Sequence, residues 1–439
     1  MKKPMIRRAT MTLLAASIAA ASAQVSAYSL IDKEDTKVNL DIEAIVGTFS
    51  SQEGYATAPS GEQGKSYSWQ EGYVKAGLSG EKTLDDSTLY GGISLVTSGV
   101  WGDGDAAGFT VGDERETSLE DLYVGFRKGA FDLSVGAQNF AIGDGFLING
   151  DALSFGDGFN DVIPGIPDFN RGGAYWLAPR KAFNNTAILR VEGENGLRGD
   201  LFWLQSGNPA QASVEFTGIN VEHTSDMGTV AATYFQGTGV EKDEAEFLGY
   251  THRDGQNNLS LRFQGNAGVE NLFLSAEYVN QTQGDDTRKD GNAYYAEAGW
   301  TFSDVAWSPS VNYRFSRFEE GFDPLLYGVG YRGLGTWFQG EVGGSYSGPF
   351  NVHSDVHYLA VKAAPSETLS LSATYFGFED TDGTGNNDGS EIDVYAEWVV
   401  NDNLILVPLL GLYTPDSDKS SQGNTDTNTY FQMMAVVLF

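Results

Sequence analysis

Four histidines, His223, His252, His353 and His357, are the side chains from which a chain without cysteine would build a hydrolytic or metal site. On a helix, His353-x3-His357 would set two imidazoles on one face, the spacing of zinc-binding helices. The surrounding residues alternate in polarity instead. In a strand, residues four apart also share a face but stand about 13 Å apart, too far to chelate one ion. The run Asp380-Thr-Asp-Gly-Thr-Gly-Asn-Asn-Asp388 has the flavour of a calcium loop but lacks the closing bidentate glutamate. With Asp285-Asp286 and Glu319-Glu320 it reads as solvated loop charge, calcium between loops being the alternative. The turn Trp101-Gly-Asp-Gly104 lacks the strand–loop–helix setting that a phosphate cradle needs. The expectation is no enzyme, no metal and no cofactor.

The charges that matter sit inside alternating runs. Val38, Leu40, Ile42, Ala44 and Val46 alternate with Lys37, Asn39, Asp41 and Glu43. Ile392, Val394, Ala396 and Trp398 alternate with Asp393, Tyr395 and Glu397. Such segments are about ten residues long, the length a tilted strand needs to cross a bilayer. A soluble sandwich alternates too, but its turns do not divide into two length classes. Here short connections lie near 82–86, 128–130, 194–197, 225–228, 266–270, 303–306, 363–367 and 400–403. Long ones lie near 51–66, 102–115, 142–182, 207–212, 237–255, 283–290, 319–352, 379–388 and 414–427. The two classes alternate, as short inner turns and long outer loops do in transmembrane barrels. An extra strand at 245–253 would break the alternation, so 237–255 reads as one outer loop. The sequence therefore predicts an all-β fold, a closed antiparallel transmembrane β-barrel of about 18 strands, within roughly 16–20.

The chain ends agree with that reading. Lys2, Lys3, Arg7 and Arg8, the apolar stretch 13–21 and Val25-Ser26-Ala27 make residues 1–27 a secretory signal peptide, with Ala21-Ser22-Ala23 a second possible cleavage site. Residues 28–439 read as one barrel domain, with 28–35 a short periplasmic lead-in. Phe431, Met433, Ala435, Val437 and Phe439 are apolar at every second position. A terminal strand closing on an aromatic resembles the signal by which barrel-assembly machinery recognises its clients. No later run of roughly 18 apolar residues exists, so no transmembrane helix is expected. Mean hydropathy is only −0.27, which a barrel tolerates because alternate residues alone meet lipid. Without cysteine in an oxidising compartment, a closed ring of strand hydrogen bonds must hold the fold. With 59 acidic against 27 basic residues, nucleic acid is a poor partner. The acid excess suits divalent cations, a salty habitat or cation preference.

A charge facing lipid near the midplane costs about 2–4 kcal/mol, so the charged face of each strand must look inward. That places Asp41, Glu43, Glu71, Asp121, Glu277, Glu297, Asp393 and Glu397 in the lumen, with Lys75, Arg190, Arg262, Arg314 and Lys362. A wall charged with both signs favours a wet channel. The 142–182 loop carries eight glycines from Gly143 to Gly173, and Phe146, Phe155, Phe159 and Phe169 among Asp144, Asp151, Asp157, Asp161 and Asp168. Long structureless loops are usually functional. This one is expected to fold into the barrel and narrow the pore, packing over the rim being the alternative. The 319–352 loop, with Phe322, Leu325, Tyr327, Tyr331, Trp337 and Phe338, is a second candidate.

The runs Val135-Gly-Ala-Gln-Asn-Phe-Ala-Ile-Gly-Asp-Gly-Phe-Leu-Ile148 and Tyr175-Trp-Leu-Ala-Pro-Arg-Lys-Ala-Phe-Asn-Asn-Thr186 come first. Phe322-Asp-Pro-Leu-Leu-Tyr-Gly328, Gly335-Thr-Trp-Phe-Gln-Gly-Glu-Val342 and the strands from Leu359 to Phe439 follow. Together they resemble the alginate-export family of outer-membrane proteins. The resemblance implies an 18-stranded barrel and a transport role. The family takes its name from an exporter of an anionic polysaccharide with a strongly basic pore, whereas acids outnumber bases in the lumen inferred here.

The function expected is an outer-membrane porin for passive diffusion of small hydrophilic solutes. The alternatives are a conduit for an anionic polysaccharide such as alginate, and a non-conducting structural or adhesive barrel. Candidate lining and constriction residues are Arg171, Arg180, Lys181, Arg190, Arg262, Arg314, Asp121, Glu277, Glu297, Asp393 and Glu397. Expected partners are outer-membrane lipid, lipopolysaccharide, the assembly machinery through Phe439, and the solutes. If the arginines converge at one constriction, anions are favoured; if acids line it, cations or neutral sugars.

Overall fold

The structure, a computed structural model, describes residues 28–160, 162–328 and 337–438. The expected signal peptide, Asp161, Tyr331 and Phe439 lie outside the described residues. The strands are β1 (Tyr28–Lys33), β2 (Thr36–Ser51), β3 (Tyr67–Leu84), β4 (Ser87–Gly102), β5 (Arg115–Lys128), β6 (Phe131–Asn139) and β7 (Ala182–Glu192). Next come β8 (Leu197–Gln205), β9 (Glu215–Ser225), β10 (Gly228–Gly239), β11 (Asn257–Gly265), β12 (Leu272–Thr282) and β13 (Gly291–Thr301). The last are β14 (Ser310–Phe318), β15 (Ser354–Ser366), β16 (Leu369–Asp380), β17 (Gly389–Asn401), β18 (Leu404–Pro415) and β19 (Asn428–Leu438). One short helix, α1 (Lys242–Leu248), lies in the β10–β11 loop and stops at Gly249, whose φ of 73° is left-handed.

Neighbouring strands pair antiparallel, and β19 closes on β2 from Tyr430↔Ser51 to Leu438↔Glu43. The result is a closed ring of 18 strands, as the turn alternation predicted. The lead-in is itself a strand. β1 pairs with the start of β2, from Tyr28↔Leu40 to Lys33↔Thr36. It prolongs the edge that β19 leaves beyond Glu43. The short turns Asp85-Asp86, Gly129-Ala130 and Asp226-Met227 all fall at one end of the ring, opposite the long loops.

The two faces of the wall are inverted relative to a soluble protein. Leu201, Leu261, Ile392, Val394 and Trp398 are exposed, while Asp200, Glu277, Asp393 and Glu397 are buried. Lipid covers the first set and lumen groups cover the second. No helix among the described residues is long and apolar enough to cross a membrane.

β5 breaks the strict alternation. Ser94 pairs with Asp121 but Leu95 pairs with Leu119, leaving Glu120 as a bulge in β5. Leu119 and Leu122 therefore both face lipid, and both Glu120 and Asp121 turn inward.

The apolar core is not between sheets. It forms where the long loops meet the inner wall, around Phe49, Trp69, Phe146, Tyr295, Trp337 and Tyr346.

Candidate pore lining and constriction

Register builds an ionic ladder across β7 to β11. Arg190 pairs with Asp200, and Arg198 with Glu222. Arg190 Nε reaches Asp200 Oδ1 at 2.8 Å and Arg198 Nη2 reaches Oδ2 at 3.1 Å. Arg198 Nη1 bonds Glu222 at 3.1 Å. Arg262 and Glu222 both flank Ala231 of β10 in register. A methyl group there leaves room for Arg262 Nη2 to meet Glu222 Oε2 at 3.0 Å. Asn220 donates to Asp200 at 3.0 Å. Beside β4, Lys75 Nζ bonds Asp121 at 2.6 Å.

In most of these pairs the cation is the exposed partner. Side-chain exposures are 37% for Arg190, 35% for Arg198 and 33% for Lys75. Their acids Asp200, Glu222 and Asp121 stand at 1%, 16% and 18%. Arg262 is the exception, covered from the lumen by the loop.

Other wall acids hold loop backbone. Glu71 Oε2 accepts from the N–H groups of Trp176 and Leu177 at 3.0 and 3.1 Å. Glu120 Oε1 accepts from Lys181 and Ala182 at 2.6 and 2.8 Å. Glu391 takes Val342 and Gly343 at 2.9 and 2.7 Å. Each carboxyl group thus satisfies two consecutive backbone donors that would otherwise be buried unpaired. Close approach completes the seat. A Cβ on Gly172 (φ 91°) would lie 2.8 Å from Ser98 Oγ, and one on Gly143 (φ 59°) 3.0 Å from Arg262 Cδ. Only glycine combines that φ with that clearance.

The tip of the same segment is buried in rings. Phe146 packs against Tyr295, Phe318, Phe322 and Trp337, with centroids 4.6–6.3 Å away. Asp144 accepts from Tyr295 Oη at 2.9 Å and from Trp337 Nε1.

The remaining candidates lie apart. Arg171 is buried and donates to the carbonyls of Asp151 and Leu153, so it ties the loop to itself rather than facing the lumen. Burial pulls both Arg171 and Lys181 below their ordinary values. Arg180 lies 3.4 Å from Glu116 and 3.7 Å from Glu120. Arg314 lies between the rings of Trp337 and Tyr358, 4.4 and 4.7 Å from their centroids, with Glu297 at 3.9 Å. Glu277 accepts from Ser260 at 2.5 Å. Asp393 and Glu397 lie on the inner face of β17. Arg171 and Arg180 lie near enough for their charges to act on one another, while Arg190, Arg262 and Arg314 each pair with a different wall acid. His357 faces away from the lumen and bonds Tyr313 Oη at 2.8 Å. No group of His, Asp or Glu able to hold a metal occurs among the described residues.

Sequence reasoning missed Glu120, Arg198, Asp200, Glu222 and Glu391. Four of them were within reach of the alternation rule, since outward Leu197, Leu201, Val221 and Ile392 flank them in sequence. Glu120 was not, because strict alternation about Asp121 turns it outward, and the bulge shows only as a shift of phase between Leu119 and Leu122.

The closed ring of strands recurs in solved structures. The chain is similar to the outer membrane protein OpdK from Pseudomonas aeruginosa, with a TM-score of 0.59 at 9% identity, over 92% of this chain and 98% of that one. The chain is a closed β-barrel of the fold seen in that outer-membrane protein. It is also similar to OccK5 (OpdH) of Pseudomonas aeruginosa, TM-score 0.57 at 10% identity, with the same coverage. Acinetobacter baumannii OccAB4 superposes with a TM-score of 0.56 at 8% identity, again over 92% and 98%. No known family model matches the sequence, and no curated protein does. The resemblance to the alginate-export family is therefore not supported. What that resemblance carried correctly was the architecture, which is shared with barrels of other names.

Proposed function

We propose that this protein is a passive outer-membrane channel for small hydrophilic solutes, and that the 142–182 segment folds inside the ring and narrows it. The observation that carries the reading is the polarity of the ladder. Cations of β3, β7 and β8 face the lumen while their acids sit behind them. Counting acids against bases in the wall pointed toward cations. The count misleads, because Glu71, Glu120 and Glu391 face loop amides instead of solvent. Along this ladder the groups a solute meets first are cations, which favours small anions.

A polysaccharide conduit is less well supported. Phe146, Trp337, Tyr346 and Trp69 fill the region between the outer loops and the wall, and a polymer needs a wide, continuous basic path.

The test is single-channel recording of refolded residues 28–439 in a planar bilayer under a salt gradient. A steady conductance with a reversal potential on the anion side is expected. A folded barrel that never conducts would favour the structural barrel, and cation preference would overturn the ladder reading.

A further inference from the structure

We infer that Asp323, in the β14–β15 loop, is a positioning residue that fixes the narrowing segment from outside it. The inference rests on the channel reading above and adds to it the group that sets the segment's place.

Asp323 is fully buried and is held by side chains of the β10–β11 loop and of the barrel wall. Arg253 of the β10–β11 loop grips it with Nε and Nη2 at 2.7 and 2.8 Å. His252 Nε2 lies 3.0 Å from Oδ2. Arg253 is in turn held by Gln211 Oε1 at 2.8 Å, from the β8–β9 loop, and by the ring of Tyr250 at 3.7 Å. The backbone is fixed as well: Asp323 N–H donates to Gln281 Oε1 at 2.7 Å, and Gln281 Nε2 donates back to its carbonyl at 2.8 Å. Gln281 belongs to β12, so the latch is anchored in the barrel wall.

Three residues further on, the same chain is zipped to the narrowing segment. Leu326 N–H donates to Leu147 O at 3.0 Å, and Asn149 N–H donates to Leu326 O at 2.9 Å. Gly328 N–H donates to Gly145 O at 3.2 Å, and Ile148 and Leu326 form a parallel bridge. Three residues of chain span at most about 10 Å, so there is little slack between latch and zip. Leu325, between them, is held at a φ of 55°. A side-chain-bearing residue stays there only where its surroundings over-determine it. One residue before the latch, Phe322 packs on Phe146. The segment tip is thus gripped on both sides of Asp323 by a chain whose position Asp323 sets.

Bidentate, buried arginine–carboxylate pairs are strong when intact and disruptive when one partner is removed. Burial alone would raise the Asp323 carboxyl. The charge of Arg253 and the hydrogen bonds from His252 and Arg253 instead hold it well below the usual carboxylate range, so the latch stays charged in an ordinary external medium.

The experiment replaces Asp323→Asn in the full chain and records single channels beside the wild type. A second conductance level is expected, occupied at least about tenfold more often than in the wild type, a shift corresponding to about 1.4 kcal/mol. Hydrogen exchange at the Asn149 and Leu326 amides should accelerate in step, and Arg253→Gln should act alike. The chain has no cysteine, so Ile148→Cys with Leu326→Cys gives one clean cross-link in the Asp323→Asn background. Oxidation should suppress the second level and reductant restore it. A folded Asp323→Asn barrel with wild-type current and wild-type exchange overturns the latch. So does a second level that the cross-link leaves untouched. If the wild type itself does not conduct, the channel reading fails, while the exchange measurement still decides the latch.

Discussion

Replacing Glu71→Met tests whether wall carboxyl groups hold the 142–182 segment. Methionine keeps the length of the side chain and removes its acceptors. The Trp176 and Leu177 amides, at 3.0 and 3.1 Å from Glu71 Oε2, then lose their partner in a fully buried position. Leaving a buried donor unpaired costs about 1–3 kcal/mol, so two cost about 2–6 kcal/mol. At about 1.4 kcal/mol per tenfold, even the lower figure shifts the seated-to-detached equilibrium about 30-fold. The ring itself loses no ladder bond, since β3 pairs with β2 and β4 through its backbone. The assay combines single-channel conductance with limited proteolysis of 150–170, read beside the heat-modifiable mobility that reports an intact barrel. Higher and noisier conductance with faster cleavage is expected, and Glu71→Gln, which keeps one acceptor, should fall between. An intact Glu71→Met barrel with unchanged current and unchanged cleavage would refute the reasoning that this carboxyl seats the segment.

Reversing the ladder with Arg190→Glu and Arg198→Glu should move the zero-current potential in a salt gradient from the anion side to the cation side. Unchanged selectivity would place the ladder off the conducting path. On the opposite face, Leu201→Arg should lower barrel stability by about 2–4 kcal/mol in denaturant titration. An effect near zero would mean that Leu201 does not meet the lipid midplane. In the β4–β5 loop, burial pushes the Asp105 carboxyl up to about 6, although Thr110 and the Phe109 and Ala107 amides bond it. A raised folded value means its contribution is present below the unfolded value near 4 and lost as pH rises through about 6. Protection factors of the 105–110 amides, with intrinsic base-catalysed exchange divided out, should therefore fall between about pH 4 and 6. Asp105→Asn should flatten that dependence, and a profile flat in the wild type would contradict it.

How much was legible beforehand follows from which interactions are local. Strand length, facing and turn class are properties of short windows. A period-two pattern such as Ile392 to Trp398 and the two lengths of connection therefore pointed to a closed ring of about 18 strands and to the charged face of each strand as the inner one. Only the tertiary structure decided what those charges do. Glu71 meets Trp176, Glu391 meets Val342 and Arg253 meets Asp323 across 49 to 105 residues of chain, and no local pattern encodes such a partner. The Glu120 bulge shows in sequence only as Leu119 and Leu122 standing three apart, a break of phase that does not by itself say which residue is the extra one. The net charge of the wall could be counted from the sequence. Which of those charges water and solute meet depends on which side chain lies behind which, and the packing of loops against the closed ring settles it.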